Sequence, residues 1–213
     1  VVDIATLDPA EAIGDAALVI LCTQVGQMGE LAEQLKPHLA DDAIVTDVGS
    51  VKADVVATVE SVLPRFVGSH PLAGSEKTGV ANARADLLVD ALCTVTPTER
   101  SDKEAVESVE KFWQALGSRT TRLSPEEHDL MVARTSHLPH VLATALVRCV
   151  LGRAEHGEAG FARRVSVTRR DWPMARHPCG ATLRWQTRRL LRRRSVICRR
   201  NWMGCVWRWR RRT

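Results

Sequence analysis

The feature that most limits the fold is a charge-free apolar run of strand length, followed by a helix-length stretch and then met again. Ala17-Leu18-Val19-Ile20-Leu21-Cys22-Thr23 shows no polar alternation. Such a run fits a strand covered on both faces, the situation of a parallel sheet flanked by helices. Met28, Leu31, Leu35 and Leu39 then recur at helical spacing. Ala43 to Val48 is the next strand, and Val51 to Val62 the next helix, with Val55, Val59 and Val62 on one face.

The unit continues through residues 1–124. Arg65-Phe66-Val67-Gly68 and Leu92 to Thr96 read as short strands. Ser101-Asp102-Lys103-Glu104 reads as a capping box opening a helix that runs to Leu116 and stops at Gly117. Arg119 to Leu123 is the last strand. Ser124-Pro125-Glu126-Glu127 then starts a helix, with Ser124 as N-cap and Pro125 at the first helical position. From Pro125 to residue 160 the pattern is helical only. The class is therefore α/β, with the start of an all-α domain behind it.

Residues 161–213 have a different composition. They hold 17 of the 30 basic residues, all Arg, and one of the 25 acids, Asp171, which leaves 13 basic and 24 acidic residues in the rest. The net charge of +5 thus hides an acidic domain and a strongly basic tail. The tail also carries Trp172, Trp185, Trp202, Trp207 and Trp209, and shows no period. Its abrupt onset and its lack of Lys read as out-of-frame translation of a GC-rich gene. The alternatives are a disordered basic tail, or a module binding nucleic acid or a membrane surface through Arg and Trp.

Cys22, Cys93 and Cys149 sit singly in apolar contexts and read as small buried hydrophobes, while Cys179, Cys198 and Cys205 match no zinc spacing. No run approaches the roughly 20 apolar residues of a bilayer span. Nothing at Val1-Val2-Asp3-Ile4 resembles a secretory signal, so a cytoplasmic location is expected.

Three strand-to-helix junctions come at the carboxyl ends of consecutive strands: Gln24 to Gly29, Gly49-Ser50, and His70 to Gly79. In an open parallel sheet these loops share the edge where ligands bind. Gly26 and Gly29 permit close backbone approach, or are ordinary turn glycines. Ser50 is an N-cap or a site residue, and Lys52 faces solvent or a ligand. His70 stands in a loop bounded by Gly68, Gly74 and Gly79, beside Pro71, Glu76 and Lys77, and is the natural proton carrier near neutral pH. His137 and His140 lie three apart, with His128 the sole further candidate ligand, so substrate contact or helix packing is favoured over metal.

Taken together, Asp47 to Lys52, the segment GSHPLAGSEKTG from Gly68 to Gly79, Ala85-Asp86-Leu87-Leu88, Glu127-His128-Asp129 and Ser136 to His140 resemble the prephenate/arogenate dehydrogenase family over roughly residues 1–161. The resemblance implies a partial Rossmann-like, doubly wound parallel sheet over 1–124. The start of a helical substrate and dimerisation domain follows over 125–160, then the irregular Arg/Trp-rich tail. It implies NAD(P)-dependent oxidative decarboxylation of prephenate to 4-hydroxyphenylpyruvate, or of arogenate to tyrosine, by a homodimer without membrane or nucleic-acid partners.

By the same resemblance His70 is the catalytic histidine and Ser50 positions it beside the nicotinamide. His137 and His140 face the substrate, and Thr23, Gln24, Val25 and Ser50 line the cofactor. The family's opening strand, GxGxxG loop and cofactor-selecting strand have no counterpart here, nor does its substrate-binding arginine after Gly160-Phe161. An exposed sheet edge and weak or absent turnover are therefore expected. A β-hydroxyacid-type dehydrogenase would need a lysine within 125–160, where there is none. A basic nucleic-acid-binding protein is the rival from another class.

Overall fold

A computed structural model describes residues 5–74, 82–151 and 206–209. Glu76, Lys77 and Gly79, the three tail cysteines and nearly all of the basic tail lie outside the described residues. The order is α1 (Pro9–Ile13), β1 (Leu18–Leu21), α2 (Met28–Leu35), β2 (Ile44–Asp47), α3 (Ala53–Val62) and β3 (Phe66–Pro71). There follow β4 (Leu92–Thr96), α4 (Lys103–Ala115), β5 (Arg119–Arg122), α5 (Pro125–Val132), α6 (Leu138–Leu151) and β6 (Val206–Trp209).

The sheet order is β5-β4-β3-β2-β1-β6. β1, β2 and β3 are mutually parallel, with Leu21 opposite Asp47 and Thr46 opposite Val67. All four residues of β1 are buried, as its apolar run requires. Val19 and Leu21 pack with Ile13, Met28, Leu35, Val59 and Phe66 on one face of the sheet. Leu18 and Ile20 pack with Val67, Val95, Val106, Val109 and Trp113 on the other. Each such side chain contributes about 1.5–3 kcal/mol by leaving water, so two filled faces hold this strand in place. α2 and α3 approach closely, since a Cβ at Gly29 would meet Thr58 Cγ2 at 2.7 Å.

The sheet is mostly parallel, but β3 and β4 are antiparallel, from Gly68 opposite Thr96 to Pro71 opposite Cys93. This pairing carries β3 beyond its contact with β2. His70, expected in a loop after a strand ending at Gly68, instead lies within β3 opposite Thr94. Gly68 is needed there because a Cβ would meet Thr96 Oγ1 at 2.5 Å and Val56 Cγ2 at 2.7 Å.

Other local expectations divide. Ser124 and Glu127 form the reciprocal capping box of α5. Gly117 ends α4 with φ 90°, a conformation glycine adopts without strain. At the start of α4, however, the cap is Asp102, whose carboxylate accepts from Ala105 N at 2.7 Å. Ser101, the expected cap, instead accepts from Thr98 N at 2.9 Å in the preceding turn, and an ionised carboxylate is the stronger acceptor for the helix amides. Cys93 is buried as expected, and burial pushes its thiol pKa up. Cys149 is exposed, because α6 shows solvent an apolar row of Leu138, Val141, Leu142 and Leu146.

The tail, read as irregular, contributes β6, which pairs antiparallel with β1 from Leu18 opposite Trp209 to Leu21 opposite Val206. Val and Trp favour extended structure, and β1 offers an unpaired backbone edge. The edge expected to be open therefore carries a strand. Among the described residues, no helix is long and apolar enough to cross a membrane.

Candidate active site

The site is built on a buried polar frame at the carboxyl ends of β2 and β3. Asp47 closes β2 and is fully buried. Its Oδ1 accepts from Ser69 N at 3.0 Å, while its Oδ2 accepts from Gly49 N at 2.7 Å and from the Lys52 ammonium. Lys52, which the sequence left facing solvent or a ligand, is fully buried, and its Nζ also donates to the Ser69 carbonyl at 3.0 Å. Burial lowers the Lys52 pKa, with Asp47 opposing the shift. Ser69 Oγ donates to the Asp47 carbonyl at 2.6 Å and accepts from Trp113 Nε1 at 3.0 Å, tying the frame to α4. A charge pair closed in this way makes the strand ends rigid.

His70 projects from this frame, half-buried. Its Nδ1 lies 2.9 Å from His128 Nε2, with the rings edge to face at 71°. His128 Nδ1 lies 2.8 Å from Asp129 Oδ1. Asp129 reaches from α5 to the start of α3, where Oδ1 accepts from Lys52 N at 2.7 Å and Oδ2 from Ala53 N at 2.9 Å. The cap of α3 is thus supplied by Asp129 across the fold, where the sequence offered Ser50 as the local candidate. Burial first, then the nearby Lys52, push the His70 pKa down to about 3. Its imidazole is neutral at physiological pH and able to accept a proton.

The remaining candidates sort by position. Ser50 lies in the turn from β2 to α3, at the same sheet edge. Thr23, Gln24 and Val25 follow β1 at that edge, and Thr23 Oγ1 donates to Gln27 Oε1 at 3.0 Å, fastening the loop. His137, at the end of a π-helical turn over Ala133–His137, is near enough to His70 to help lower its pKa. His140 lines a shallow groove of about 380 Å³ along α6, with Val141, Thr144, Ala145 and Arg148. No cluster of metal-ligating side chains occurs among the described residues.

A nucleotide fits only part of this edge. The N-terminus of α3, a natural seat for phosphate, is already filled by the Asp129 carboxylate. The loop after β1 is open: Gln24 and Gly26 are exposed, and a Cβ at Gly26 would meet nothing within 4 Å. That ledge suits a ring or ribose laid on backbone.

Comparison with known proteins shows the family. Residues 1–122 match the model described as prephenate dehydrogenase, nucleotide-binding domain. Residues 124–166 match prephenate dehydrogenase, dimerization domain. The chain belongs to the prephenate dehydrogenase family. It is 37% identical over 171 residues to cyclohexadienyl dehydrogenase of Zymomonas mobilis, covering 79% of this chain and 58% of that protein. It is 40% identical over 139 residues to prephenate dehydrogenase of Bacillus subtilis, covering 63% and 38%. The chain therefore spans less than two thirds of the length of these curated relatives. A solved prephenate dehydrogenase from Aquifex aeolicus, in complex with hydroxyphenyl propionate and NAD+, superposes with a TM-score of 0.67 at 35% identity, covering 74% of this chain and 59% of that one.

For this prephenate dehydrogenase family member, the sequence identified His70 and its neighbours at the sheet edge but did not assign His128, Asp129, Asp47 and Lys52 their places. The available signals were slight. Asp47 ends an otherwise apolar strand, and His128-Asp129 follows a firmly capped helix start.

Proposed function

We propose that this chain carries the catalytic core of an NAD-dependent prephenate dehydrogenase. The observation that carries the reading is a neutral histidine, His70, fixed on a strand at the ligand edge of a nucleotide-binding-type sheet. Family membership supplies the reaction, and the relative captured with NAD+ and hydroxyphenyl propionate supports NAD and a hydroxylated ring as ligands.

When bound, NAD+ supplies the acceptor for a hydride from the ring carbon that bears the hydroxyl. His70 holds that hydroxyl by its lone-pair nitrogen and takes up the proton as the hydride departs. Loss of the ring carboxylate as CO2 then aromatises the ring, and His70 returns the proton to the phenolate. Thr23, Gln24, Val25 and Ser50 would line the nicotinamide end, with Ser50 between cofactor and His70. His137 and His140 would face the substrate from the helical segment. The buried Asp47–Lys52 frame fixes the strand that aims His70, since orientation is worth several kcal/mol in such a step.

NADP in place of NAD, and arogenate in place of prephenate, are alternatives for the same residues. The exposed apolar row of α6 and the match to a dimerization domain favour a homodimer through that helix.

The test is reduced-nicotinamide formation at 340 nm from prephenate or arogenate, as NADH from NAD+ and in parallel as NADPH from NADP+. Heat stabilisation by each ligand is measured on the same preparation. His70→Asn should lower kcat about 100- to 10,000-fold, the usual share of a general base. Full activity in that variant, or stabilisation by neither prephenate nor NAD+, rejects the reading.

A further inference from the structure

We propose that His128 and Asp129 are positioning residues for His70, holding it in the tautomer whose free lone pair is on Nε2 and accepting part of the charge it gains. This rests on His70 being the base.

The proton assignment follows from acceptor counting. Asp129 is held below the ordinary carboxylate range; burial opposes this, and the amide of Ala53 and His128 favour the charged form. An ionised carboxylate only accepts. His128 Nδ1, 2.8 Å from Asp129 Oδ1, must therefore carry a hydrogen. Burial keeps His128 neutral by lowering its pKa, so its Nε2 is the lone-pair nitrogen. That Nε2 faces His70 Nδ1 at 2.9 Å, and the hydrogen between them must be on His70. A neutral His70 with Nδ1–H has its lone pair on Nε2, the nitrogen that points away from His128. Three side chains thus settle one tautomer, and the carboxylate at the end is itself held by two backbone amides of α3.

The same chain has a place for the proton. When a substrate hydroxyl gives its hydrogen to His70 Nε2, the Nδ1 hydrogen can pass to His128 Nε2. The positive charge then lies in direct contact with the Asp129 carboxylate, which favours it, while Lys52 disfavours charge on either ring. After CO2 has left, both transfers reverse and the phenolate oxygen regains its proton. No proton is gained or lost over the cycle.

The first test needs no substitution and no turnover. The imidazole nitrogens of the full 213-residue chain, labelled with 15N-histidine, are read by NMR near pH 7. Both His70 and His128 should show Nδ1–H and an unprotonated Nε2. Finding His70 with its hydrogen on Nε2 overturns the proposal. The second test compares Asp129→Asn and His128→Gln with the parent. The glutamine can accept the His70 hydrogen but cannot become a cation. In Asp129→Asn the His70 resonances should broaden into a tautomer mixture, and in His128→Gln they should stay as Nδ1–H.

Where prephenate turnover is measurable, His128→Gln should lower kcat on the order of 10- to 100-fold with KM changed less than about 3-fold, a loss smaller than that of His70→Asn. Unchanged kcat in His128→Gln alongside a dead His70→Asn removes the relay and leaves the base. An active His70→Asn removes the base itself.

Discussion

Replacing Asp47 with Asn keeps the side chain's shape and removes the charge on which three donors converge. Oδ1 faces Ser69 N–H, and Oδ2 faces Gly49 N–H and the Lys52 ammonium. An amide NH2 in either position points a donor at a donor, in a site with no exposure. Removing one partner of such a buried pair costs about 3–5 kcal/mol. Lys52→Met should cost less, about 1.5–3 kcal/mol, because Asp47 keeps both backbone N–H bonds and loses one charge-assisted contact. The double variant should fall short of the sum by on the order of 1–3 kcal/mol. Urea denaturation followed by far-UV circular dichroism gives all four stabilities. The reasoning fails if Asp47→Asn lies within about 1 kcal/mol of the parent, or if Lys52→Met is the more damaging change.

Lys52→Met should also raise the His70 pKa from about 3 toward its ordinary value, read by NMR titration, since Lys52 is its second-largest depressing influence; an unmoved titration contradicts that. The depressed values of His70 and His128 bear on folding too. Between the unfolded value of 6.5 and the folded value of about 3, unfolding takes up a proton at His70. Stability from His70 is thus full above pH 6.5 and is lost as pH falls through that window, by about 1.4 kcal/mol per pH unit, with His128 acting in the same direction. His70→Asn should flatten the stability profile between pH 4.5 and 6.5, above the range where carboxylates titrate. Gly68→Ala should cost about 1–3 kcal/mol by crowding Thr96 and Val56, measured as a lowered urea midpoint.

Much of the scaffold was legible in the sequence because its causes are local. The apolar run at 17–23 has the length and uniformity of a covered strand, and Leu18–Leu21 forms one. The Ser124-Pro125-Glu127 start and the Gly117 stop depend on backbone groups a few residues away. The same locality explains the misjudged cap at Ser101: two adjacent acceptors, Ser101 and Asp102, competed, and the choice depended on the turn that Thr98 makes before the helix.

The site divides along the same line. Sequence by itself placed His70, Ser50 and the loop from Thr23 to Val25 at the carboxyl ends of neighbouring strands of an α/β sheet. Only the tertiary structure decided that His70 stands on a strand, because an antiparallel partner extends β3 to Pro71. It also decided that Lys52 is buried against Asp47, and that Asp129, 77 positions along the chain from Lys52, caps α3 while holding His128 against His70. Burial and hydrogen bonding between distant segments fix protonation states. No spacing along the chain carries that information, because the groups that set it meet only when helix and sheet pack.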